Sequence, residues 1–98
     1  PRPLPLSSEN PRAHRSAGND LEINVEAYND GQIRVAVADP ELNIFDGFSF
    51  DDSVPVQENA VRSSVHWKDR ANLAQFRGRE VILLFNIDQA VLYSYRFA

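Results

Sequence analysis

The stretch LEINVEAY-NDG-QIRVAVA, residues 21–38, restricts the fold more than any other part of this chain. Leu21, Ile23, Val25 and Ala27 alternate with Glu22, Asn24, Glu26 and Tyr28, then Ile33, Val35 and Val37 alternate with Gln32, Arg34 and the small Ala36 and Ala38. A period of two puts one face of an extended strand inward and the other in water. Asn29, Asp30 and Gly31 are residues that accept positive φ, so the stretch reads as a hairpin with its turn at 29–31. A helix could not keep these apolar residues on one side.

The rest of the chain repeats the pattern in shorter pieces. Residues 39–43 read as a turn in which Pro40 fixes φ. Residues 44–50 read as a short strand broken near Gly47, and 51–59 as loop, because Pro55 cannot donate to a central ladder. Val61, Ser63, Val65 and Trp67 share one face of a further strand, with Arg62, Ser64, His66 and Lys68 on the other. Within 68–78, Leu73 and Phe76 are spaced to dip into the core from one helical turn near 71–77, and Gly78 suits a left-handed exit. Residues 80–87 are nearly continuously apolar, as in a central strand covered on both sides. In the closing VLYSYRFA, Val91, Tyr93, Tyr95 and Phe97 take one side, so the three rings are expected to plug the core. Short strands at this spacing with almost no helix predict an all-β antiparallel β-sandwich, jelly-roll or immunoglobulin-like.

The organisation follows. Residues 1–19, rich in Pro, Ser, Asn and Arg, read as an arm or linker, with PLPL placing a short edge strand at 1–6. Residues 20–98 form the domain. The 98 residues suffice for one modest core. The chain starts at Pro1 and has no Met, which points to a processed product or a piece of something longer.

Chemistry is sparse. There is no cysteine, which excludes disulfides and thiolate chemistry. A net charge of −4 argues against a nucleic-acid partner, and no apolar run approaches the ~18 residues of a membrane span. His14 lies in the arm and His66 on a polar strand face, and neither belongs to a nucleophile motif or a metal-spaced set. Asp51 and Asp52 are adjacent, so in extended chain they face opposite ways, which is wrong for an acid–base pair. No catalytic residue is assigned. Asp46, Asp51, Asp52 and Glu58 could offer oxygen to Ca²⁺, but their spacing matches no EF-hand, so they read as turn caps and no cofactor is expected. Sugar sites combine an aromatic face with planar polar groups. Tyr28 is the ring expected at the surface. Arg62 belongs to a basic group at 59–80 that suits an anionic polysaccharide or an acidic neighbour.

One resemblance sharpens this. The order GFS (47–49), DD (51–52), Val56, Trp67, ANLAQFRGREVILLF (71–85) and LYSYRF (92–97) resembles a terminal β-sandwich module that follows the β-propeller of invertase-like and arabinanase-like bacterial glycoside hydrolases. It covers about residues 20–98, and AVLYSYRF is its most specific part. A Gly-Asp pair expected before the Trp strand is replaced by Glu58–Asn59. The resemblance implies a non-catalytic accessory domain of a secreted or periplasmic protein. Its partners would be the catalytic domain of the same protein and a polysaccharide. The catalytic carboxylates would belong to the propeller. The resemblance transfers no ligand site; the candidate ligand-binding residues are Tyr28, Asp52, Asn59, Arg62 and Trp67. The alternative is a structural or assembly domain with no sugar ligand.

Overall fold

The computed structural model describes residues 13–15, 19–69 and 73–98. Four strands, β1 (Ala13–Arg15), β2 (Leu21–Ala38), β3 (Ala60–Val65) and β4 (Glu80–Phe97), form one antiparallel sheet in the order β1-β4-β2-β3. The only helix among the described residues is a 3-10 turn at Ala74–Phe76. The chain is therefore all-β, as the alternation requires. Strand β1 falls inside the expected arm and pairs with the start of β4. The edge strand expected at 1–6 lies outside the described residues.

The expected hairpin at 21–38 does not form. Residues 21–38 run as one long strand, and both halves pair with β4: Leu21 faces Phe97, Ala27 faces Ala90, Gln32 faces Asp88 and Ala38 faces Ile82. Residues 28–31 bulge opposite Gln89 alone. The turn chemistry is present, since Asn29 and Asp30 have φ of 48° and 63°, but it makes a bulge and not a reversal. Positive φ dictates a local kink. It does not dictate which strand lies alongside, and the long apolar β4 supplies partners for both halves. Gly31 is required by closeness: a Cβ there would stand 2.0 Å from the Gln89 carbonyl oxygen.

Strand β4 likewise joins the two strands expected at 80–87 and 91–97. Its register slips between the pairs Asn24–Ser94 and Val25–Leu92, leaving Tyr93 unmatched. One unmatched residue reverses the faces beyond it. Leu92, 2% exposed, thus enters the core. Tyr95 and Phe97 pack against the core from its rim, but Tyr93 turns to the opposite face and donates its hydroxyl hydrogen to Glu26 Oε1 at 2.7 Å. The expectation that all three rings plug the core is corrected for Tyr93. A second slip, between Ile23 and Val25 against β3, has a similar effect. Val61 is exposed, while Ser63, Val65 and Trp67 are buried as their alternation predicts.

Beyond Val25, β3 no longer covers β2, so the edge of residues 33–37 needs other partners. The irregular residues 45–56, together with Trp67 after β3, supply them at every second residue. Ile33 and Val56 exchange both backbone hydrogen bonds at 2.9 Å, and Val37 N–H donates to the Phe48 carbonyl at 3.0 Å. Between them, Val35 N–H donates to Ser53 Oγ at 3.0 Å and the Trp67 indole N–H donates to the Val35 carbonyl at 2.8 Å. The strand expected at 44–50 is thereby replaced by turns with one bridge, Ala38 to Ile44.

These residues, with Leu73 and Phe76, also form the layer that faces the sheet. Phe48, Val56, Trp67, Leu73 and Phe76 meet Leu21, Ile23, Val25, Ile33, Val35, Val37, Val81, Leu83 and Leu92 in one core. Leu73 and Phe76 are both fully buried, as their spacing predicts, and Gly78 leaves the turn at φ 82°. Phe48 stands 5.0 Å from Trp67 and 4.8 Å from Phe76, and Phe45 is 4.6 Å from Phe76, in tilted or edge contacts. Each such ring contributes about 1.5–3 kcal/mol by burial.

Candidate ligand-binding face

Three of the five candidate residues hold the fold together. Trp67 is 2% exposed, its ring against Phe48 and its N–H on Val35, so no face is open to a ligand. Its place among the ligand-binding candidates is corrected, while its inward position beside Ser63 and Val65 is as the alternation predicts. Asp52 closes a turn, its Oδ2 accepting from the Ser49 hydroxyl at 2.8 Å and the Ser49 N–H at 3.3 Å. Asn59 Oδ1 accepts from the Ala27 N–H at 2.7 Å, tying the loop before β3 to the bulge in β2. The carboxylate at 39 does similar work, Asp39 Oδ1 accepting from the Glu41 and Asn43 N–H groups, both at 2.9 Å. The Asn43 N–H holds the Asp39 carboxyl below its usual range, against some loss of hydration. The Asn43 side chain, the Glu41 N–H and the Arg79 charge add smaller effects in the same direction.

Tyr28 and Arg62 are at the surface. Tyr28 opens the 28–31 bulge and is 46% exposed. Arg62 is exposed on β3, an edge strand of the sheet.

Around Arg62 the outer face of the sheet carries polar groups that strand pairing brings together. Glu22 lies between Ser64 of β3 and Arg96 of β4, and Asn24 pairs with Ser94. Arg96 Nε–H donates to Glu22 Oε1 at 2.8 Å. One row further along, Tyr93 is bonded to Glu26. Glu22, Asn24, Arg62, Ser94, Tyr95 and Arg96 line a depression of about 150 Å³. Of these only Arg62 stands out in the sequence. Glu22, Asn24, Ser94 and Arg96 belong to outward registers that were readable, but which strands bring them together was not. The arrangement offers donors and acceptors on stiff strands, suited to a hydroxyl-rich ligand.

A second, larger depression of about 310 Å³ is lined by residues 54–58 together with the end of β3 and His66. It holds Glu58, Ser63, Ser64 and His66. Ser63 is 4% exposed and donates to Glu58 Oε1 at 2.6 Å, which consumes its hydroxyl as a buried tie. His66 is exposed and makes no side-chain hydrogen bond among the described residues to either serine or to Glu58. Nucleophile, base and orienting group are therefore not linked there. No cluster of three or more metal-ligating side chains occurs among the described residues, and none of their helices is long and apolar enough to cross a membrane.

No protein-family model, no curated protein and no solved structure matches the chain.

Proposed function

We propose that this chain is a non-catalytic accessory module of a carbohydrate-active bacterial protein. It packs on the catalytic domain of that protein and binds glycan weakly through the outer face of its sheet. The observation that carries the binding reading is the row of planar polar groups beside Arg62: the Glu22–Arg96 ion pair at 2.8 Å with Asn24 and Ser94, around a depression of about 150 Å³. Sugar hydroxyls are recognised by such groups when strands hold them in place. The carbohydrate-active parent and its secreted or periplasmic location rest on the resemblance of residues 20–98 to modules that follow β-propellers.

A second reading, a structural or assembly domain without a sugar ligand, is favoured by the turn at 39–44. Leu42 and Ile44 are 55% and 45% exposed there, on a loop held by Asp39 and with Leu42 at φ 70°. A stiff apolar tip suits packing on a neighbour.

Affinity electrophoresis through gels containing plant or bacterial polysaccharides separates the two. The glycan reading expects retardation by at least one polysaccharide, reduced in Arg62→Ala and Tyr28→Ala while both variants stay folded. A folded chain that migrates identically in every gel leaves only the assembly reading.

A further inference from the structure

We infer that the depression between Arg62 and Arg96 takes a carboxylated sugar, a uronic acid unit of an acidic glycan. This rests on the glycan-binding reading and adds the charge of the ligand. Of the charged residues lining the depression, Arg62 and Arg96 are cations and Glu22 is the one anion. The surplus is positive, on a chain whose net charge is −4. Glu22 takes only the Nε–H of Arg96, so the two terminal nitrogens of that guanidinium keep their donors. Arg62 makes no hydrogen bond or ion pair to the described residues. Two arginines with unused guanidinium donors thus line one depression, and a planar carboxylate is the group such forked donors bind with two parallel bonds.

Size and surroundings narrow the class. The volume of about 150 Å³ is well below the roughly 300–1,000 Å³ of sites for drug-sized ligands. One ring and its substituents therefore fill it. Ser94 and Asn24 line the same depression with polar side chains, and the exposed Val61 adds an apolar one. A nucleic acid needs a long basic stripe to meet successive phosphates, and two cations do not make one. A neutral sugar would leave the positive surplus unused.

The test uses the intact chain labelled with ¹⁵N and titrated with trigalacturonate, with the same oligomer fully methyl-esterified, and with a sulfated galactan oligomer. The acid form is expected to shift the amides of Asn24, Arg62, Ser94 and Arg96. It should bind on the order of two- to five-fold more tightly than the ester, the range that an exposed charge pair gives. The preference should fade as salt rises. Arg62→Gln should abolish the preference, while Lys68→Gln, an exposed cation on the same chain outside the depression, should keep it. Equal binding of acid and ester would overturn the charge inference and leave the glycan reading standing. So would binding of the sulfated oligomer alone. If no oligomer shifts these amides and no polysaccharide gel retards the chain, both the inference and the glycan reading fall.

Discussion

Replacing Ser53 with Ala removes one oxygen and tests how the irregular residues 45–56 stand in for a strand. Ser53 is 1% exposed and its Oγ accepts from the Val35 N–H at 3.0 Å. Val35 is fully buried, and β3 stops short of it. Ser53→Ala takes away the acceptor of this buried N–H. An orphaned buried donor costs about 1–3 kcal/mol. Against a total of about 5–15 kcal/mol, this is a large share. For a chain of this length the melting temperature should fall by about 4–8 °C for each kcal/mol. Urea unfolding can be followed by the fluorescence of Trp67, the one tryptophan. The midpoint should fall with an unchanged slope, because the variant exposes no more surface on unfolding. A change below about 0.5 kcal/mol would place Ser53→Ala among ordinary surface substitutions. The Val35 amide would then have another partner, and the account of the uncovered edge would be wrong.

Other expectations follow from single observations. Gly31→Ala should prevent or severely weaken folding, since its Cβ would stand 2.0 Å and 2.6 Å from the backbone oxygens of Gln89 and Asp88. Gly78→Ala, at φ 82° with nothing within 4 Å, should cost only about 1–2 kcal/mol of backbone strain by thermal melts. Leu92→Ala should cost about 2–5 kcal/mol and Tyr93→Phe about 0.5–1.5 kcal/mol; the reverse order would contradict the register slip. Asp39 is depressed in the folded state, so its stabilisation of the 39–43 turn is fully present above the unfolded value of 3.8 and is lost as pH falls through the lower folded value. The amide shifts of Glu41 and Asn43 should report that loss, and a midpoint above 3.8 would refute the cap.

Much of the fold is legible in the residues themselves. The inward positions 21, 23, 25, 33, 35 and 37, the single turn that buries Leu73 and Phe76, and the left-handed exit at Gly78 all follow from spacing and φ preference. What spacing does not carry is partnership. Asn29-Asp30-Gly31 has the φ values of a tight turn, yet only the competing length of β4 decides that it becomes a bulge. The same limit hides the slip at Tyr93, because a bulge is settled by what lies across the ladder and not by the strand that contains it. For that reason Tyr93 seemed bound for the core and Leu92 did not. The candidate face was legible only through Tyr28 and Arg62. Glu22, Asn24, Ser94 and Arg96 lie up to 74 residues apart, and pairing alone makes them neighbours. Trp67 misled in the other direction: its residue type suits a sugar platform, but its register had already committed it to the core.

Amide chemical-shift mapping of the chain with a polysaccharide fragment that retards it locates the ligand on the fold. Shifts gathered on residues 22–24, 61–62 and 94–96, with the Trp67 indole signal unmoved, are the predicted result. Shifts centred on Trp67, or on the 54–58 and 63–66 cleft, would contradict the claim that the outer face of the sheet meets the ligand.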